Sequence, residues 1–125
     1  MPNLSCGVDL IETNRIQRSI QRHGERFLKR VYTPQELEQA GSNHASLAAR
    51  FAAKEAVAKT LGTGIGQICW DEIEILRGPE RQPILHLHGN AQRLAAERGL
   101  TTWSISLSHS NTHAIAMVVA LGESE

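Results

Sequence analysis

Residues 50–59 read Arg50-Phe51-Ala52-Ala53-Lys54-Glu55-Ala56-Val57-Ala58-Lys59, and after two further residues comes Gly62-Thr63-Gly64-Ile65-Gly66. Alanine is the strongest helix former, and the segment from about His44 to Leu61 is rich in it. Apolar residues occupy most of the circumference, which predicts a central, largely buried helix. Gly62 suits its exit, where the chain turns left-handed. At about 100° per residue, Ala48, Phe51, Ala52 and Lys59 all lie within about 60° of Glu55. Glu55 therefore points where small and apolar residues point. The plainest reading is a Glu55–Lys59 ion pair one turn apart, worth about 0.3–0.5 kcal/mol. A carboxylate on an apolar face, however, needs a partner or a metal, because burying it alone is costly.

Around this helix the chain reads as short elements of both kinds. Leu4–Ile11 is expected to be a first strand ending near Asp9. Thr13 or Asn14 would cap a helix to about Arg22, with Ile16 and Ile20 inward, and a short helix would cover Glu25–Arg30. Thr33-Pro34-Gln35-Glu36 carries the Thr N-cap, Pro and Glu of a helix start, and Gly41-Ser42-Asn43 ends that helix. Downstream, Trp70–Leu76 and Pro83–Leu87 read as strands around Gly78-Pro79, and Asn90–Arg98 as a helix ended by Gly99. Trp103–Leu107 alternates, with Trp103, Ile105 and Leu107 on one face and Ser104, Ser106 and Ser108 on the other. A hairpin at His109–Thr112 would join it to the apolar strand Ala114–Leu121. The expected fold class is α+β: a single domain, 1–125, with a central long helix packed on a mostly antiparallel sheet.

At 125 residues, 41% hydrophobic and 21% charged, the chain can bury a core without disulfides. Its formal net charge is zero, which gives no bulk reason to expect a nucleic-acid partner. Between Arg15 and Arg30, however, six basic residues face one acid, Glu25, for a local 6 − 1 = +5. Arg15, Arg18 and Arg22 form one stripe of that segment, either a solvated face or a docking surface for an acidic partner. Cys6 and Cys69 have no metal or redox spacing and read as reduced thiols of a cytoplasmic protein. No signal peptide is expected, and the Ala114–Leu121 run is too short to span a membrane.

Several side chains can carry chemistry. Asp9 is either a strand-end carboxylate capping the next helix or a metal ligand. Asp9 with Glu55 would make a hard oxygen site of the kind Mg²⁺ uses when phosphates complete its shell. The Gly62–Gly66 loop closes a helix rather than opening one, the reverse of a dinucleotide-binding loop. It reads as a helix cap whose N–H groups could still meet a phosphate. His109 lies in a turn rich in Ser, and Ser108/His109 lacks the spacing of a nucleophile and its base. His44, His86, His88 and His113 form no HExxH pattern.

In order along the chain, Gly7-Val8-Asp9-Leu10-Ile11-Glu12-Thr13-Asn14-Arg15-Ile16, Arg50–Ala56 with Lys59, Gly62–Gly66, Asp71–Ile75 and Ser104–His109 resemble the holo-acyl-carrier-protein synthase family, the small phosphopantetheinyl transferases of fatty-acid biosynthesis. The resemblance implies Mg²⁺-dependent transfer of 4′-phosphopantetheine from coenzyme A to a serine of apo acyl carrier protein. On that likeness Asp9 and Glu55 are the metal ligands and Lys59 contacts phosphate. Arg50, Gly62, Thr63, Gly64, Ile65, Ser108 and His109 line the coenzyme A site, and Glu55, directly or through a water, takes the serine proton. Arg15, with Arg18 and Arg22, would dock the acidic carrier protein, and the assembly would be a homotrimer with the coenzyme A site between subunits. Two other readings stand beside it: a non-catalytic module binding acidic proteins through the arginine stripe, and another Mg²⁺-dependent nucleotide-binding enzyme.

Overall fold

The protein is described by a computed structural model over residues 2–123; residues 1 and 124–125, the ends of the expected 1–125 domain, lie outside the described residues. Strand β1 covers Pro2–Glu12, followed by helices α1 (Thr13–His23), α2 (Glu25–Val31), α3 (Pro34–Ala40) and α4 (His44–Leu61). A short 3₁₀ turn at Trp70–Glu72 leads into β2 (Ile73–Arg77) and β3 (Pro83–Leu87). Helix α5 (Gly89–Glu97), β4 (Leu100–His109) and β5 (His113–Glu123) complete the chain. The strands form an antiparallel three-stranded sheet ordered β1-β5-β4 and a separate antiparallel β2–β3 hairpin. The α+β expectation holds.

Helix α4 is the hub, packed on β1 and β5 and also touching β2, β4, α1, α3 and α5. Close packing is possible because both surfaces are small. Ala48, Ala52, Ala53 and Ala56 on the helix and Ala114, Ala116, Val118 and Ala120 on β5 are all buried. Asn43 caps α4 by accepting from Ser46 N, and Gly62 exits it at φ 83°. The Thr33 capping box of α3 is formed as expected.

Three local expectations are corrected. Strand β1 runs on to Glu12, pairing with β5 through Glu12↔His113, so Asp9 lies within the strand rather than at its end. Neither Thr13 nor Asn14 caps α1: Glu12 occupies that position without a side-chain cap, because the strand runs directly into the helix and Thr13 N donates to Thr112 O. The segment Trp70–Glu72 is a turn rather than strand. Cys69 N donates to Glu72 Oε1, Glu72 N donates to Cys69 O, and the Trp70 carbonyl accepts from Lys54 Nζ, bonds that take the place of a ladder.

Alternation along β1 sends Ser5, Gly7, Asp9 and Ile11 toward α4 and Leu4, Cys6, Val8 and Leu10 away from it. On the outer face Leu4 pairs across to Leu121, Val8 to Met117 and Leu10 to Ile115. All six are exposed, from 40% at Ile115 to 70% at Leu4. Ser104, Ser106 and Ser108 of β4 extend the same face, as the alternation read from sequence requires.

Candidate active site

The site is built where β1 passes under the C-terminal half of α4. Lys59 Nζ donates to the Val8 carbonyl at 2.8 Å and to Asp9 Oδ1 at 3.1 Å. The Glu55–Lys59 pair suggested by spacing is therefore not made; Lys59 reaches across to the strand instead. Glu55, half-buried, has no hydrogen-bond or ion-pair partner among the described residues. Burial first, and then the Asp9 charge, raise its carboxyl above the ordinary range, while Lys59 and Arg15 oppose the rise. Arg15 comes close because α1 crosses α4 here; its guanidinium carbon lies 5.4 Å from the centre of the Phe51 ring, one turn before Glu55. Arg18 and Arg22 continue the exposed stripe along α1, and Arg18 shares a shallow cleft with Arg15, Glu12 and His113.

A second group gathers on the other side of α4, where Arg50 falls about 140° around the helix from Glu55. Arg50 is buried: Nε donates to Ile75 O at 3.0 Å, one terminal nitrogen to Gln39 Oε1 at 2.8 Å, and the other to Ser46 Oγ. Burial lowers its pKa, and the Glu36 charge opposes this. It is chiefly a scaffold residue, with one flank on an open cleft of about 360 Å³ that His109, Arg77 and Arg81 also line. Sequence reading missed Arg77 and Arg81. Arg77 ends β2 and Arg81 lies inside the turn that follows, where its N–H donates to Gly78 O, and only the folded hairpin brings both to the cleft beside Arg50. Ser108 lies on the outer sheet face, away from this cleft.

The glycine exit differs from its reading. The N–H groups of Gly62, Thr63 and Gly64 all point back to the Ala58 carbonyl at 3.0–3.4 Å, and Gly66 N donates to Ile68 O. They terminate the helix and are not presented to a phosphate. Ile65 bridges Ile68 and packs on the core, so what the loop offers outward is shape.

The strongest ionic feature was not read from sequence. Lys54, fully buried, donates to Glu36 Oε1 at 2.8 Å, to Trp70 O at 2.9 Å and to Ile73 O. Three acceptors match the three N–H groups of an ammonium, so Lys54 is held charged although burial pushes its pKa down. Glu36 also accepts from Thr33 N and Ile75 N. The signal was present: Glu36 completes a capping box, and Lys54 follows Arg50 by one turn on a face where Leu47, Phe51, Val57, Ala58 and Leu61 are buried.

Asp9 and Glu55 are two hard oxygen donors on adjacent elements, and the partly buried Glu55, with no partner among the described residues, is suited to a cation. Among the described residues no group of three or more His, Cys, Asp or Glu side chains converges, so a cation here takes its remaining oxygens from water or substrate. Mg²⁺ fits that donor set, since it keeps several waters and binds one or two carboxylates together with phosphates.

Comparison with known proteins agrees along most of the chain. Residues 5–118 match the 4′-phosphopantetheinyl transferase superfamily. A holo-[acyl-carrier-protein] synthase from Herpetosiphon aurantiacus is 48% identical, with 95% of this chain and 99% of the relative covered. Another from Moorella thermoacetica is 50% identical over 97% and 94%. The crystal structure of the Helicobacter pylori holo-[acyl-carrier-protein] synthase in complex with coenzyme A superposes with a TM-score of 0.84 at 31% identity, covering 92% of this chain and 98% of that one.

Proposed function

The chain belongs to the 4′-phosphopantetheinyl transferase superfamily, and on that premise we propose that it acts as a holo-[acyl-carrier-protein] synthase whose reaction centre is Asp9, Glu55 and Lys59. It moves 4′-phosphopantetheine from coenzyme A to a serine of apo acyl carrier protein and releases 3′,5′-ADP. The observation that supports the assignment of the centre is the half-buried Glu55, with no bonding partner among the described residues, beside an Asp9–Lys59 pair.

Asp9 and Glu55 would hold Mg²⁺, whose chemistry here is to neutralise charge on the pyrophosphate. The acceptor serine oxygen attacks the phosphorus that carries pantetheine, and the bond to the 3′,5′-ADP oxygen breaks. Glu55 has raised proton affinity and is the group suited to take the serine proton. Lys59, half-exposed at its tip, meets the charge that develops on 3′,5′-ADP. Transfers of this kind rest mainly on positioning and electrostatics, which these three side chains supply.

The cleft lined by Arg50, Arg77, Arg81 and His109 is cationic and suits the phosphorylated end of coenzyme A. It lies on the opposite side of α4 from Glu55. A second copy of the chain would bring one copy's cleft to the other's carboxylates, and the apolar outer face of the sheet suits such an assembly, a homotrimer. The Arg15/Arg18/Arg22 stripe adjoins Glu55 and suits an acidic carrier helix. We read residues 1–125 as one transferase domain acting in the cytoplasm in fatty-acid biosynthesis. Among the described residues no helix is long and apolar enough to cross a membrane.

Intact mass spectrometry tests the reading. Apo carrier protein incubated with coenzyme A, Mg²⁺ and this chain should gain one phosphopantetheine unit, about 340 Da. No gain with folded protein and a competent acceptor would overturn it, and release of product without an acceptor would point to a hydrolase. Full transfer by Glu55→Gln would remove Glu55 from the centre.

A further inference from the structure

Helix α4 packs against β1 at Gly7, whose φ is not positive. Its backbone would accept any residue; the space beside it would not. A Cβ built there meets Ala56 O at 2.3 Å, Thr60 Oγ1 at 2.7 Å and Lys59 Cβ at 3.1 Å. The first obstacle is a helix carbonyl, which cannot rotate aside as a side chain can. It already accepts a 2.8 Å bond from Thr60 Oγ1. Accommodating a methyl therefore means moving the helix off the strand by roughly 1 Å.

All three obstacles belong to the turn Ala56–Thr60. Glu55 adjoins it and Lys59 is part of it. On the strand, Val8 and Asp9 follow Gly7 directly and receive Lys59 Nζ. The contact thus lies beneath the site, with one carboxylate attached to each of the two touching elements.

We propose that Gly7 is a positioning residue: by carrying no side chain, it sets the separation of Asp9 from Glu55 at a value suited to a small divalent cation. The inference rests on the reading that these two carboxylates hold Mg²⁺. A wider gap should penalise Mg²⁺, which demands near-ideal octahedral geometry, more than the larger and more tolerant Mn²⁺.

The test is Mn²⁺ binding to the metal-free protein, followed by electron paramagnetic resonance with Mg²⁺ as competitor. Wild type should bind Mn²⁺ and release it to Mg²⁺. In folded Gly7→Ala, Mg²⁺ affinity should fall tenfold or more while Mn²⁺ affinity falls several-fold less. Ser5→Ala is the control for simple loosening of the same seam, because Ser5 Oγ donates to Thr60 O at 2.7 Å, four residues from Asp9. It should lower stability and leave both affinities within twofold. Should Gly7→Ala not fold, Thr60→Val, which puts a methyl in place of the crowding hydroxyl, decides: a threefold or greater loss of Mg²⁺ relative to Mn²⁺ supports the proposal, and no change overturns it. Wild-type binding with unaltered Gly7→Ala affinities overturns the role of Gly7 alone. A wild type that binds neither ion overturns it together with the metal reading.

Discussion

Replacing Lys54 by methionine keeps the bulk of the side chain and removes its charge and its three N–H donors. The site is fully buried, so water cannot take over those bonds. The Glu36 carboxylate would keep its bonds from Thr33 N and Ile75 N but lose the counter-charge that touches it at 2.8 Å. Breaking a buried pair from one side costs about 3–5 kcal/mol. The carbonyls of Trp70 and Ile73 also lose a donor, at about 1–3 kcal/mol each if nothing replaces it. These terms overlap, because the surrounding turn can relax, so a loss of about 4–5 kcal/mol is expected rather than their sum. For a domain of this size that lowers the melting temperature by roughly 12–25 °C. The assay is equilibrium unfolding in denaturant at fixed protein concentration, since assembly would otherwise alter the apparent stability. Adding Glu36→Gln removes the stranded charge and should restore at least about 1.5 kcal/mol. A Lys54→Met protein within about 1 kcal/mol of wild type, or a double variant no more stable than the single, would refute the argument that this pair is desolvated and mutually dependent.

Glu55 yields a pH signature. Its raised folded-state pKa means the folded chain holds that proton more tightly than the unfolded chain, so this contribution to stability is complete at acid pH and is lost as pH rises through the folded value. Denaturant titrations of metal-free protein from about pH 4 to 7 should show wild type losing stability relative to Glu55→Gln, and parallel profiles would refute the shift. Arg22→Glu tests docking more cleanly than Arg15→Glu, because Arg15 already stands over Phe51 beside the carboxylates. Carrier-protein affinity should fall about tenfold at low salt, and less at high salt, with coenzyme A affinity unchanged; equal losses for both ligands would remove the docking role. Met117→Lys places a charge on the central strand of the outer face and should reduce the mass seen by light scattering to that of one chain; an unchanged mass would show that this face is not an interface.

Much of the local structure was legible in residue order, because it depends on neighbours a few positions apart. The bounds of α4 follow from its alanines and Gly62, the start of α3 from Thr33 and Glu36, and the two faces of β4 from strict alternation. The same reasoning placed Glu55 on an apolar face. It did not determine which element lies opposite that face. Lys59 turned from its helical neighbour to Asp9, 50 residues away, because β1 passes within reach of its ammonium. Lys54, whose position one turn after Arg50 hinted at its burial but named no partner, became a core charge because Glu36 and two carbonyls, of Trp70 and Ile73, converge on it. Arg50 was engaged by Ile75 and Gln39, and the glycine exit turned its N–H groups inward to the helix end. Periodicity fixes the direction of a side chain about its own axis. Partner, burial and charge state depend on long-range packing, and here that packing depends on Gly7 letting strand and helix meet.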